Sequence, residues 1–535
     1  MKIILLVISC LLIFTIHLEA RTPTSDYPFM TADAALASGR SYDYIIVGGG
    51  TAGCPLAATL SQHFSVLVLE RGGSPYGNPD IENRDRFGKP LQEANNYTSI
   101  AQGFVTEDGL LLHRARVLGG ATAINAGFYS RASLEYIRNM GWDEKLVNSS
   151  YEWVEKQNAF RPNKLSGWAS AFKNALLQAQ FLPYNGYTVD HVEGTKISAS
   201  TFDNNGKRHT AADLLQKANP KNIVVLLNAT ASRILFNSTG GKLKASGVEF
   251  LSTVNGQSYK VLLNQFSGRS EVILSAGSLG SPQLLLLSGI GPSEHLKEFN
   301  IPVLLNLTSV GKDVQDNPGT TMRVESPIPL RISSPQVVAI LNNSQIYVFS
   351  GSSVDQVPIN GTSNSTRTRY SGSFFEKVAF PLSRGQLRLR TKDPRDNPSV
   401  RYNYLSHPLD LQLCVQAVRV MSKLSETASI QQFTFQNSSS SPRGFRFIGT
   451  AMPDSDSDDK TVEKFCHEGL ATHWHYHGGC NVGSVIDKSH RVNGVNGLRV
   501  VDCSTYIDIP GTNPQATTMM LGRYTGIKIL QERLQ

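Results

Sequence analysis

Three histidines stand at alternate positions in His473-Trp-His475-Tyr-His477. A neutral imidazole there could take a proton from a substrate, because its unperturbed pKa of about 6.5 lies near neutrality. The same rings could pack as hydrogen-bonded core groups, the commoner fate of histidines in an aromatic-rich stretch. The block alone leaves that choice open. Far upstream, Gly48, Gly50 and Gly53 form G-x-G-x-x-G, with Thr51 and Ala52 between the last two. In this spacing glycines permit a tight turn, the approach of a pyrophosphate to the backbone, and close packing of a following helix, whose N-terminus favours anions. Glu70 follows at the distance expected of an acceptor for a ribose hydroxyl. Arg71, next to it, could stack on or pair with the nucleotide, or be only a surface charge. The glycine pattern does not separate FAD from NAD.

These residues need elements to hold them. Tyr42 to Val47 reads as a strand, Ala52 to Gln62 as a helix and Ser65 to Glu70 as a second strand, a β-α-β unit. Strand-like runs recur at Ile223 to Leu227 and Val272 to Leu274, and helical periodicity at Leu409 to Leu424 and Gln515 to Leu534. The polar stretch Gly351 to Thr368 reads as an exposed loop region, and the middle of the chain as helix-rich and partly irregular. The fold class is α/β, opening on a Rossmann-type dinucleotide fold.

With 535 residues, two intimately joined domains are expected. The net charge of +8 is dispersed. Its densest run, Arg388 to Lys392, alternates basic residues with Leu and Thr like the solvated face of a strand, so no nucleic-acid surface is expected. Lys2 followed by the apolar run Ile3 to Ile16, with Leu18 and Ala20 at cleavage spacing, reads as a signal peptide over residues 1–20, and no membrane span is expected after it. Nine N-x-S/T sequons (Asn96, Asn148, Asn228, Asn237, Asn306, Asn342, Asn360, Asn364 and Asn437) agree with a secreted, N-glycosylated protein, extracellular or vacuolar. Cys10 leaves with the leader. The other five cysteines have no zinc spacing and imply one or two bridges and at least one free, buried thiol, with no metal site.

Two further glycine-rich segments, Arg116-Val-Leu-Gly-Gly-Ala-Thr-Ala-Ile-Asn125-Ala-Gly127 and Ser275 to Gly291, precede C-terminal blocks at His473 to Cys480, Leu498 to Asp502 and Gly511-Thr-Asn-Pro-Gln-Ala-Thr517. Together, in this order, they resemble the glucose-methanol-choline (GMC) oxidoreductase family, and within it the plant branch of mandelonitrile lyases and their oxidoreductase-like relatives. The resemblance implies FAD and a discontinuous FAD-binding domain over 41–135, 205–320 and 475–535. A substrate-binding α+β domain would fill 136–204 and 321–474. It also implies cofactor contacts from Val117, Ala121, Asn125, Ala126, Gly127, Phe128, Ala231, Trp474, Asp502, Cys503, Pro514 and Gln515. Ala121 stands where Ser or Thr is usual. Asn125 stands where some relatives carry a flavin-bonded histidine, so FAD is expected to be noncovalent.

The same resemblance makes His475 the base and Asn513 the residue that orients the substrate oxygen. It leaves His477 a packing role, His473 either role, and Trp474 and Tyr476 the pocket wall. Lyases of the family use a paired histidine, a tyrosine and a cysteine. Here Asn513, His473 and Phe349 occupy those places, and Asn cannot supply a proton to leaving cyanide. Oxidation of an alcohol CH–OH group is therefore the expected activity, on a small molecule; relatives in the branch are associated with long-chain hydroxy fatty acids. The alternatives are hydroxynitrile cleavage of a cyanohydrin and a catalytically silent flavoprotein. A Cys414–Cys466 disulfide follows from the likeness to plant lyases at both positions, and a monomer is favoured.

Overall fold

The computed structural model describes residues 27–94, 97–239, 241–265, 268–359, 362–435 and 444–534. The leader, Cys10, and sequons Asn96, Asn360 and Asn437 lie outside the described residues.

Tyr44–Val47 and Val66–Leu69 are apolar at every position, the pattern of strands buried on both faces. Among the described residues they lie at the centre of a six-stranded parallel sheet. Its order is Met30–Thr31, Ile223–Leu226, Val66–Leu69, Tyr44–Val47, Glu271–Leu274 and Leu498–Val500. Because successive side chains point to opposite faces, the two central strands feed two cores. Tyr44, Ile46, Val66 and Val68 pack with residues of the helices Gly53–Leu60 and Gln515–Leu534. Ile45, Val47, Leu67 and Leu69 join Ile234, Val248 and Phe250 of a second sheet, an antiparallel meander over Ala229–Thr239, Lys242–Ser252 and Ser258–Leu263. The β-α-β unit expected from sequence is thus present, with the helix trimmed to Gly53–Leu60.

The middle of the chain departs from expectation. It is sheet-rich rather than helix-rich. A seven-stranded sheet runs in the order Arg446–Phe447, Thr321–Ser326, Thr362–Val378, Ile346–Ile359, Val337–Leu341, Gly194–Ile197 and Tyr184–Tyr187. Of the stretch Gly351 to Thr368, expected as an exposed loop, residues 351–359 and 362–368 belong to two long strands paired from Ile346↔Val378 out to Pro358↔Thr366. Its Ser, Thr and Val residues suit extended backbone, but beyond Phe349 neither face is continuously apolar, which hid the strand period. One face of this sheet, through Met322, Val324, Val348 and Phe374, packs on the helices Gly167–Gln178 and Pro408–Ser425. The other face lines the cavity described below.

The expected Cys414–Cys466 disulfide is formed, joining Pro408–Ser425 to Asp459–Glu468. Cys54, Cys480 and Cys503 are free. Asn148, Asn237, Asn306 and Asn342 are exposed and Asn228 is half-buried. No helix among the described residues is long and apolar enough to cross a membrane. The basic run is solvated as read, with Leu387 and Leu389 buried and Arg390 and Lys392 exposed, but the strand Gly385–Arg388 ends at its first residue, so most of the run is not strand.

Candidate active site

A single cavity of about 780 Å³ extends from the first glycine loop to the His473–Tyr476 block, within the ~300–1,000 Å³ of ligand and cofactor pockets. At one end, two glycine loops lie back to back. Gly48 has φ +104°, and a Cβ there would stand 2.4 Å from the Ser275 carbonyl oxygen. A Cβ on Gly120 (φ +59°) would stand 2.8 Å from the Cα of Gly50. Gly53 alone among the residues expected from sequence is off the wall: a Cβ there would lie 2.0 Å from the Gly48 carbonyl oxygen, so its role is to let helix and strand close together. No side chain caps the N-terminus of Gly53–Leu60, where Thr51 and Ala52 line the cavity. Bare glycine backbone at an uncapped helix start is a cradle suited to the phosphates of a dinucleotide.

Glu70 lines the same end, but its carboxylate is already engaged. Oε2 accepts from the Gly49 amide at 3.0 Å and Oε1 from the Gly72 amide at 2.8 Å, so it also braces the glycine turn. Each oxygen keeps a second lone pair for a ribose hydroxyl. Burial pushes its pKa up, opposed chiefly by the Gly72 amide. Arg71 is no solvated surface charge: it donates to Gln102 Oε1 (2.9 Å) and the Ala115 carbonyl (2.7 Å). Asp502 accepts from Gly277 N (2.9 Å), Ser281 Oγ (2.6 Å) and Ser504 N (2.8 Å), pinning the start of the helix Gly277–Leu287 beside Cys503. Asn125 donates to Gln515 Oε1 (2.9 Å) and accepts from Gly127 N (2.9 Å) and Arg208 Nη1 (3.1 Å), tying the second glycine loop to the last helix. Val117, Ala121, Ala126, Gly127, Phe128, Ala231, Pro514 and Gln515 complete the wall.

At the other end, His475 and Asn513 both line the cavity. His475 is 7 % exposed. Its Nδ1 lies 2.9 Å from Asn317 Oδ1, and its amide donates to Asp316 Oδ1 at 2.8 Å. Its Nε2 has no hydrogen-bond partner among the described residues. Burial holds its pKa well below the usual 6.5, helped by the positive field of Lys377 and by the flanking histidines. His473 stacks on it (centroids 5.9 Å, 28°), donates from Nε2 to the Glu376 carbonyl (2.8 Å) and is pushed down to about 4 by burial. Phe349, which packs edge-on to His473 and stacks on Phe375, supplies an aromatic floor. His477 is off the cavity wall, held by Gln315 Oε1 at 3.0 Å. Trp474 adopts φ +57°, a rare conformation for a bulky residue, which leaves its ring 38 % exposed at the rim against His113. Tyr476 donates to the His113 carbonyl at 2.7 Å.

Sequence reasoning missed Asp316, Asn317 and Lys377. Asp316 and Asn317 reach His475 across more than 150 residues (separations of 159 and 158). Lys377 sits fully buried on the cavity sheet, its Nζ without a hydrogen-bond partner among the described residues and 4.7 Å from the Tyr347 ring centroid; burial lowers its pKa to about 7.

The GMC oxidoreductase family matches this chain over residues 42–319 with its amino-terminal part and over 381–522 with its carboxy-terminal part. An Arabidopsis thaliana protein named (R)-mandelonitrile lyase-like is 44 % identical, covering 98 % of this chain and 97 % of its own. Sinalpyl alcohol oxidase Nec3 of Nesocodon mauritianus is 43 % identical over 92 % of this chain and 89 % of its own. The formate oxidase of Aspergillus oryzae shares the fold, with a TM-score of 0.75 at 18 % identity, over 93 % of this chain and 99 % of its own. The glycine cradle, the cavity beyond it and matches across both family regions have one meaning: the chain belongs to the GMC oxidoreductase family, whose cofactor is FAD.

Proposed function

We propose that this protein oxidises the CH–OH group of a small-molecule alcohol, with His475 as the base and Asn513 orienting the substrate oxygen. The observation that carries the reading is the state of His475: one ring nitrogen is bound to Asn317, and the other is left open on the cavity wall. A base needs a free lone pair and a neutral ring, and the downward pKa shift keeps the ring neutral at working pH. Bound FAD supplies the acceptor for the hydride of the carbinol carbon. Gly48, Gly50, Thr51, Ala52 and Glu70 would hold its adenosine and phosphates, and Val117, Ala121, Asn125 to Phe128, Asp502, Cys503, Pro514 and Gln515 the rest. Asn125 offers no nucleophile, so the flavin is noncovalent; acid precipitation should leave it in the supernatant, and flavin that stays with the pellet overturns this point.

The relatives named mandelonitrile lyases favour a second reading, cleavage of a cyanohydrin. Against it stand the residues that share the cavity wall with His475, among which Asn513 and Phe349 offer no proton to departing cyanide. The test is anaerobic flavin reduction across aromatic, aliphatic and ω-hydroxy alcohols, with mandelonitrile cleavage measured in parallel. Bleaching by an alcohol supports oxidation. Rapid mandelonitrile cleavage with the flavin oxidised throughout overturns it, and neither reaction leaves a silent flavoprotein. Exposed sequons and the disulfide support a secreted, N-glycosylated protein; a monomer with FAD-binding and substrate-binding domains at the bounds given above belongs to the same proposal.

A further inference from the structure

We infer that Asn317 is a positioning residue that fixes the tautomer of His475, placing the ring proton on Nδ1 and the lone pair on the cavity-facing Nε2. This rests on the proposed role of His475 as the base. The argument is one of donors and acceptors. Asn317 is fully buried. Its NH2 group donates to the carbonyls of Val378 at 2.7 Å and Ala379 at 3.0 Å, and carbonyls can only accept. Both amide hydrogens are therefore spent, and the group facing His475 Nδ1 at 2.9 Å is the amide oxygen. Turning the amide over would set its oxygen against two carbonyl oxygens and leave buried acceptors unsatisfied. An amide oxygen cannot donate, so Nδ1 must carry the hydrogen. A neutral imidazole has only one.

Asp316 makes the arrangement rigid. Its Oδ1 accepts from the backbone amides of both Asn317 and His475, each at 2.8 Å, which locks the two residues to one carboxylate oxygen. Its Oδ2 accepts from Tyr404 at 2.7 Å and from Thr472. The choice of an amide over an acid at 317 has a physical reason. A carboxylate would hold the same tautomer, but its charge would favour the protonated imidazole, which is useless as a base. The titratable groups around the ring are Asp316, Lys377, His473 and His477. An uncharged partner leaves their balance, and the neutral ring, undisturbed.

The first test needs no change at Asn317. The 15N spectrum of holoenzyme labelled at histidine, compared with that of His475→Ala, identifies the His475 signals. Loss of a protonated-Nδ1, unprotonated-Nε2 pair is expected; loss of the opposite tautomer overturns the inference, whatever the reaction proves to be. The second test uses FAD-loaded variants. Asn317→Leu should slow flavin reduction by about 10–100-fold, the effect of losing a group that orients a metal-bound histidine being taken as the guide. Asn317→Asp keeps an acceptor and should recover part of the rate, with the acidic limb of kcat/KM moved to higher pH. Wild-type rates and an unmoved profile in both variants overturn the positioning role while leaving His475 as the base. A wild-type rate in His475→Ala instead removes the base and leaves the tautomer assignment to the spectrum.

Discussion

His475 and His477 stand two residues apart, and each is gripped by a side-chain amide. Gln315 turns its NH2 to the carbonyls of Pro381 (2.7 Å) and Ser383 (3.3 Å) and its oxygen to His477 Nε2, much as Asn317 treats His475. The difference lies in which nitrogen is taken. Gln315 accepts from Nε2 of His477, whose unprotonated Nδ1 abuts the His475 carbonyl at 3.2 Å, and the residue is off the cavity wall, so that ring offers nothing to a substrate. Asn317 occupies only Nδ1 of His475 and leaves Nε2 on the cavity wall. A histidine becomes available for chemistry through the nitrogen that the protein leaves unbound. Burial, which both rings share, does not decide it.

The largest effect should separate the two. His475→Ala is expected to slow flavin reduction by about 10²–10⁴-fold, the usual contribution of a positioned general base, with FAD retained and the thermal midpoint little changed. His477→Ala should do the reverse. It strands Gln315 Oε1 in a buried site, at a cost of about 1–3 kcal/mol, and lowers the midpoint with less than a tenfold effect on rate. Stopped-flow reduction and thermal unfolding of both variants check this, and a common loss of rate would break the comparison.

Asn513→Ala should come next, with a smaller loss than His475→Ala, read as kcat/KM for the best alcohol. An equal loss would make Asn513 part of the proton transfer rather than a guide for the oxygen.

Lys377→Met should have the smallest effect on rate but a distinctive one on pH. Removing the cation beside His475 raises the pKa of that ring, so the acidic limb of the kcat/KM profile moves to higher pH. Stability shifts too. The amine titrates near 7 in the folded protein against 10.5 ordinarily, so the unfolded chain binds the extra proton between those values. The penalty for burying it is full below about pH 7 and fades as pH rises toward 10.5. Lys377→Met should therefore raise the thermal midpoint more at pH 6 than at pH 9; an equal gain at both would show that the charge is not the cause.

The dinucleotide end was readable because its signals are local. Tyr44–Val47 and Val66–Leu69 are continuous apolar runs, and Gly48 to Gly53 fit in a few residues the tight turn that the strand and helix demand. His475 and Asn513 became candidates only through resemblance, since nothing in H-W-H-Y-H distinguishes the open ring from the closed one. What distinguishes them, Asn317 and Gln315, comes from a separate stretch of chain with no motif of its own. The hairpin of Ile346–Ile359 and Thr362–Val378 was misread for a related reason. Its outer half faces the cavity and solvent with Ser, Thr and Arg, so long-range strand pairing holds it extended where no apolar alternation announces a strand.

The central claim is that the open Nε2 of His475 takes the hydroxyl proton, and chemical rescue tests it most directly. FAD-loaded His475→Ala is reduced anaerobically by an alcohol that bleaches the wild-type flavin, with and without added imidazole. The account predicts slow reduction that accelerates as the concentration of neutral imidazole rises. A variant that reduces its flavin at the wild-type rate, indifferent to imidazole, would contradict it.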